Sequence, residues 1–128
     1  MAEKQNVGVE LLSAIDRYFD LMYDCDVSKF DAVFHPSAAL NGLRDGEIVV
    51  WPAAHYRDVL SKRQSPKLLK ATRHQEVMLI DVASENQANA KVRVLINGKM
   101  FVDHLTYLRA GGAWKIAFKA YHVESEAA

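Results

Sequence analysis

Apolar side chains recur at three- and four-residue steps along residues 7–24, and acidic side chains line another face of the same segment. The apolar set is Leu11, Leu12, Ile15, Tyr18, Phe19, Met22 and Tyr23. This spacing predicts an amphipathic helix with one buried stripe. A shorter stripe follows at Phe30, Val33 and Phe34, behind the capping residue Asp26, and predicts a second, short helix.

The rest of the chain is predicted to contain strands and one further helix. Residues 37–51 are divided by Asp45-Gly46, a dipeptide that suits a type I′ hairpin turn, so two short strands are expected there. Pro52 suits the first turn of a third helix. From about Lys70 the pattern is that of four strands. This element order favours an α+β fold, with helices on one side of a mainly antiparallel sheet.

Two tight turns predict which side chains share a face of the sheet. Asn97-Gly98 pairs Val92 with Asp103, and Gly111-Gly112 pairs Asp103 with Ala120, if both turns have two residues. The inner face then collects mostly apolar side chains: Val92, Val94, Ile96, Phe101, Leu105, Tyr107, Trp114, Ile116 and Phe118, with Met78, Ile80 and Val82 from the preceding strand. Asp103 is the one carboxylate in the middle of this face.

The opposite face of the predicted sheet is unusually apolar for a surface in water. It carries Lys91, Arg93, His104, Thr106, Lys115 and Lys119, but also Val77, Leu79, Leu95, Val102 and Leu108. We therefore predict that a second copy of the chain covers part of it, forming a homodimer through the sheet. Scattered surface hydrophobes are the alternative interpretation.

Length and charge narrow the function classes. The 128 residues fit one domain over positions 1–128, with frayed ends at about 1–6 and 124–128. Sixteen basic and sixteen acidic residues balance, which argues against nucleic acid as a partner. The sequence shows no membrane span or signal segment, so a cytoplasmic location is expected. Cys25 is the single cysteine, the histidines have no metal-ligand spacing, and neither a metal nor a cofactor is expected.

Four segments resemble the nuclear-transport-factor-2-like superfamily. They are Asp16-Arg17-Tyr18-Phe19, the stretch from Asp26 to Pro36, the strand from Phe101 to Leu108, and the ending from Gly112 to His122. Within the superfamily, the chain is most similar to the putative lumazine-binding group, a neighbour of the polyketide-cyclase-like (SnoaL-like) proteins. The resemblance implies a cone: N-terminal helices packed on a strongly curved sheet, a pocket at the open end, and frequent dimerisation through the sheet.

The resemblance also implies roles for two residues. Tyr18 matches the oxyanion-stabilising tyrosine of the superfamily's ketosteroid isomerases, and Asp103 matches their protonated aspartic acid. The pattern itself supports Asp103, because a carboxyl on an apolar face is desolvated when charged, which favours a neutral form that donates a hydrogen bond. The alternatives are a structural carboxylate and an ordinary core tyrosine. Asn41-Gly42 stands where the isomerase has its catalytic base, so steroid isomerisation is not predicted.

Further candidates surround the predicted pocket. His122 is expected on the inner face of the last strand and His55 on the third helix, where either could move protons or simply be hydrogen-bonded. Aromatic candidates for stacking on a flat ligand are Trp51, Phe34, Phe101, Trp114 and Phe118, although most are expected to be core. Residues 61–74 are rich in lysine and arginine, which indicates either a basic rim for an anionic ligand or a solvated loop.

Three hypotheses about function follow. The first is a small-molecule-binding protein for an aromatic or polycyclic ligand, with Tyr18 and Asp103 as polar anchors. The second is a cofactor-independent isomerase, dehydratase or cyclase, with Asp103, Tyr18 and His122 as catalytic residues. The third is a protein-interaction module that uses the sheet surface. The missing base carboxylate favours binding over catalysis.

Overall fold

The computed structural model describes residues 7–126, and the predicted order of elements is confirmed. The helices are α1 (Val7–Asp24), α2 (Phe30–Val33) and α3 (Ala53–Lys62), with a 3₁₀ turn at Val27–Lys29. The strands are β1 (Phe34–Arg44), β2 (Glu47–Pro52), β3 (Gln75–Ser84), β4 (Gln87–Ile96), β5 (Lys99–Ala110) and β6 (Ala113–Glu126). The side chain of Asp26 caps the 3₁₀ turn by accepting a hydrogen bond from the Ser28 N–H.

The six strands form one curved sheet in the order β2-β1-β6-β5-β4-β3. All neighbours are antiparallel except β1 and β6, which run parallel. This confirms the predicted α+β class. Phe34 begins β1 instead of extending α2, because the next residue, His35, precedes Pro36 and is driven toward extended backbone.

Helix α1 packs its apolar stripe against the inner face of the sheet. Ile15 and Tyr18 are fully buried, and on the sheet Val92, Leu105 and Ile116 are buried to the same degree. At the N-terminal end of α1, the Trp114 indole N–H donates to Glu10 Oε2 over 3.2 Å. The core therefore lies between one long helix and the β4–β6 strands.

The register of the last hairpin differs from the prediction beyond Ala117. The β4–β5 pairing of Val92 with Asp103 is confirmed, but Asp103 pairs with Tyr121 rather than Ala120 on the other side. Ala117 is an extra residue between the Thr106–Phe118 and Tyr107–Ile116 pairs, a β-bulge that reverses which side chains point inward. The expected inward position of Phe118 and the expected outward position of Lys119 are therefore wrong.

Smaller differences from the prediction concern β3 and the end of β6. Val77 pairs with Val92 and so shares the inner face, because Met78 forms another irregularity in β3. Residues 124–126 belong to β6, which pairs with β5, and Glu124 forms an ion pair with Arg93; fraying of this end stays a prediction. The remaining predicted frayed positions, 1–6 and 127–128, lie outside the described residues.

Candidate functional site

A cavity of about 170 Å³ opens at the end of the cone that is bounded by α3, β1, β2 and the Asn97-Gly98 turn. Its wall mixes apolar, aromatic and charged side chains: Leu40, Arg44, Trp51, Tyr56, Arg63, Ile96, Lys99, Phe101, Asp103, Lys119 and Tyr121. Apolar walls with a few placed polar groups are typical of small-molecule sites.

Asp103 is one of the lining residues and is completely buried. The Tyr18 hydroxyl donates to Asp103 Oδ2 over 2.5 Å, and Lys119 Nζ is 3.8 Å from the same oxygen. In these contacts Asp103 accepts a hydrogen bond from Tyr18 and lies beside the Lys119 ammonium; its role as a neutral donor stays a prediction.

Lys119 is the main residue that sequence reasoning missed. Its side chain is 5% exposed, its ammonium lies 5.1 Å from the Tyr18 ring centre and 4.9 Å from that of Tyr56, and it donates to the Tyr56 hydroxyl over 3.3 Å. Two aromatic faces and one carboxylate therefore surround the charge. The alternation of Trp114, Ile116 and Phe118 favours the wrong register, and nothing local in the sequence marks the bulge.

Two residues that line the cavity each have one buried polar atom without a hydrogen-bond partner among the described residues. The atoms are Asp103 Oδ1, an acceptor, and Arg63 Nη1, a donor. A buried polar group without a partner costs about 1–3 kcal/mol. Asp103 and Arg63 both line the cavity, so a ligand group that reaches Oδ1 or Nη1 would give that atom its missing partner.

Tyr18 is held in its protonated form. Burial raises the pKa of its phenol well above the ordinary value of 10, and the negative charge of Asp103 raises it further. Burial also raises the pKa of Tyr107, whose hydroxyl has no partner among the described residues. Tyr18 therefore remains a hydrogen-bond donor to Asp103 across the neutral pH range.

The structure brings together some of the predicted aromatic residues and separates the others. Trp51 and Phe101 lie on the cavity wall, whereas Phe34 and Trp114 are buried away from it. Phe34 stacks on Phe30 with ring centres 5.0 Å apart, a contact inside the core.

The predicted histidines are also not on the cavity wall. His55 is exposed on α3, with its ring edge-on to Trp51 at 5.2 Å. His122 pairs with Val102 and lies on the outer face, so its expected inward position is wrong because of the Ala117 bulge. A proton-transfer role for His122 in this cavity has no geometric basis.

One wall of the cavity depends on a glycine. The Tyr121 ring lies directly over Gly42, where an added Cβ would be 2.2 Å from the ring. Tyr121 also faces an open groove between the β1–β2 hairpin and the end of β6. Gly42 therefore permits the ring to form the partition between the cavity and this groove.

Three further features of residues 7–126 concern membrane spans, metal ligands and the cysteine. None of the helices described is both long and apolar enough to span a membrane. No cluster of three or more potential metal ligands occurs in this part of the chain. Cys25 is half-buried, and burial raises the pKa of its thiol, although the nearby Arg63 guanidinium opposes this rise.

Comparison with known protein families identifies the family of this chain. Residues 6–122 match the family described as "Putative lumazine-binding". The chain belongs to the putative lumazine-binding family. This match confirms the resemblance drawn from the sequence. No curated protein matches the chain.

Solved structures show that this family member has a nuclear-transport-factor-2-like fold. A nuclear-transport-factor-2-like protein of unknown function from Shewanella baltica is 21% identical, with a TM-score of 0.78 and coverage of 91% of this chain and 93% of that one. One from Silicibacter pomeroyi is 20% identical, with a TM-score of 0.76 and coverage of 91% and 94%. A cystatin-like fold protein from Burkholderia xenovorans is 13% identical, with a TM-score of 0.72 and coverage of 92% of each chain.

Proposed function

We propose that this protein binds a small molecule in the cavity above Asp103. The observation that carries the proposal is Asp103 Oδ1, a buried carboxylate oxygen of a residue that lines the cavity, which has no hydrogen-bond partner among the described residues. Tyr18 and Lys119 hold the other oxygen, so the carboxylate is fixed in position before a ligand arrives. A ligand that donates to Oδ1 recovers the cost of that buried acceptor.

Binding is favoured over an isomerase, dehydratase or cyclase reaction. Acid–base chemistry needs a group that is free to exchange a proton next to the substrate. Among the described residues on the wall, Asp103 is the one carboxylate, and it is already paired with Lys119. Neither His55 nor His122 belongs to the wall. The catalytic alternative would require a group from the ligand itself to supply the missing base.

Native mass spectrometry of the gently purified protein tests the proposal directly. We expect native mass spectrometry to detect a retained small molecule. An added compound such as lumazine should also bind, and its binding should change the fluorescence of Trp51. The change should persist in Trp114→Phe and be lost in Trp51→Phe, because the other tryptophan is in the core. Asp103→Asn and Tyr18→Phe should each weaken retention about ten- to hundredfold. Equal retention by these variants would make both residues part of the scaffold.

We also propose that the outer face of the sheet forms the homodimer interface. The Ala117 bulge adds Phe118, which is 55% exposed, to the exposed Leu79 and Leu108 on this face. An apolar surface of this kind favours association with a second copy. Light scattering should report a dimer at micromolar concentration and a monomer for Phe118→Lys. A monomer for the unaltered protein would contradict the proposal.

A further inference from the structure

The five basic residues of segment 61–74 have different surroundings in the structure. Lys62 pairs with Asp58, and Arg73 pairs with Asp20, both at the surface. Lys67 and Lys70 are exposed. Arg63 alone among these five basic residues is on the cavity wall.

The Arg63 backbone is hydrogen-bonded at the end of α3, and its side chain lies near Cys25. Its backbone N–H donates to the Leu60 carbonyl oxygen at the end of α3, over 3.3 Å. Its guanidinium is close enough to the Cys25 thiol to oppose the rise in the pKa of that thiol that burial causes. Nη1 is nevertheless buried without an acceptor among the described residues. An anion that reached this guanidinium would provide the acceptor that Nη1 lacks.

The charge of the wall favours an anion as well. The described wall contains four basic side chains, Arg44, Arg63, Lys99 and Lys119, and one acidic one, Asp103. Lys119 is balanced by Asp103, and Lys99 lies 4.0 Å from Glu126. Arg63 and Arg44 have no carboxylate partner among the described residues. A cleft lined by one sign of charge concentrates ligands of the opposite sign.

The size of the cavity limits the ligand body. An apolar cavity of roughly 150 Å³ is large enough for benzene. The present cavity, at about 170 Å³, therefore accommodates one ring with short substituents, and its apolar wall includes Trp51 and Phe101. A ring matches such a wall because aromatic faces stack well on one another.

We propose that the cavity binds a single-ring organic acid, whose anionic group contacts Arg63 and whose hydroxyl or N–H group donates to Asp103 Oδ1. This inference rests on the proposed binding function and specifies the chemical class of the ligand. Each of the two unpartnered atoms receives its complement, because the acid supplies acceptors to the guanidinium and the hydroxyl or N–H group supplies a donor to the carboxylate.

Titration calorimetry with defined probes tests the class. The probes are 3- and 4-hydroxybenzoate, which carry ring, acid and donor, together with phenol, benzoate and lumazine. In the unaltered protein, a hydroxybenzoate should bind more tightly than either phenol or benzoate. Arg63→Gln should weaken that hydroxybenzoate about ten- to hundredfold and change phenol less than about twofold, because a hydrogen bond to a charged group is lost for the acid only.

Lys67→Gln is the matched control, since it removes the same charge from the same segment at an exposed position. It should change neither affinity more than about twofold. The affinity for phenol also reports whether Arg63→Gln has kept its cavity, and Arg63→Lys should retain part of the affinity for acids.

Specific results overturn the inference. Equal affinity of Arg63→Gln and the unaltered protein for hydroxybenzoate would remove Arg63 from the site. Binding of phenol or lumazine without binding of either hydroxybenzoate would reject the ligand class while supporting the proposed function. If no probe binds and no molecule is retained in native mass spectrometry, the inference and the proposed function both fail.

Discussion

The two halves of the β5–β6 hairpin have the same strands but build different parts of the molecule. Between the Gly111-Gly112 turn and Ala117, the register follows the turn, and Trp114 and Ile116 enter the core. Beyond Ala117, the bulge exchanges the two faces, so Lys119 and Tyr121 point inward. One extra residue thus changes a strand that fills the core into a strand that lines a cavity.

The largest expected effect distinguishes the lysines on the two sides of the bulge. Lys119→Met should lower the free energy of unfolding by about 3–5 kcal/mol, because it leaves Asp103 charged and buried without its cation. Lys115→Met, on the outer face of the first half, should change it by less than about 0.5 kcal/mol. Urea unfolding measures both variants.

Adding Asp103→Asn to Lys119→Met should restore at least half of the lost stability, since the side-chain amide in that double variant carries no charge and still accepts from Tyr18. A Lys119→Met protein as stable as Lys115→Met would mean that the ion pair contributes nothing to stability. It would also mean that the strand register beyond Ala117 is not the one described.

Apolar residues on either side of Ala117 provide the second contrast. Ile116→Ala should cost about 2–5 kcal/mol, because Ile116 is completely buried. Phe118→Ala should cost the folded monomer less than about 1 kcal/mol, because its ring is on the outer face. Unfolding at two protein concentrations separates any contribution of the dimer. A large loss for Phe118→Ala that does not depend on concentration would restore the register predicted from the turn.

A third, smaller contrast compares Gly42, which lies beside Tyr121 of the cavity wall, with Gly8 in α1. Gly42→Ala should lower stability by about 1–3 kcal/mol, because its Cβ would overlap the Tyr121 ring and force it to move. Gly8→Ala is the control: no atom lies within 4 Å of the added methyl group, and alanine in α1 should raise stability by up to about 1 kcal/mol. Ligand affinity should change only in Gly42→Ala. Equal effects of the two substitutions on stability would contradict the described wall.

The smallest effect is in the alkaline pH dependence of stability. The folded pKa of Tyr18 is raised above 10, so the unfolded chain loses this proton first and stability falls as pH rises past about 10. Each such tyrosine contributes up to about 1.4 kcal/mol per pH unit. Tyr18→Phe should reduce that slope, and Tyr107→Phe should reduce it in the same direction. An unchanged slope in Tyr18→Phe would show that Tyr18 titrates normally in the folded protein.

Most of the fold follows from local sequence, but the site does not. The stripe through Tyr18, the Asp45-Gly46 turn and the Asn97-Gly98 register are consequences of periodicity and turn chemistry, and each is confirmed. Lys119 reaches the core through a bulge that depends on tertiary packing. Arg63 follows a helix end, and its approach to the cavity depends on how α3 lies on the sheet.

The long sequence separation between Tyr18 and Asp103 determines when this site can form. Asp103 belongs to a meander of consecutive strands that needs only short loops, whereas Tyr18 is 85 residues away in sequence and its hydrogen bond closes a very long loop. Long-range closure is slow relative to hairpin formation. We therefore expect the meander to become protected from hydrogen exchange first during refolding. The cavity should be complete only after the N-terminal third of the chain has docked on the sheet.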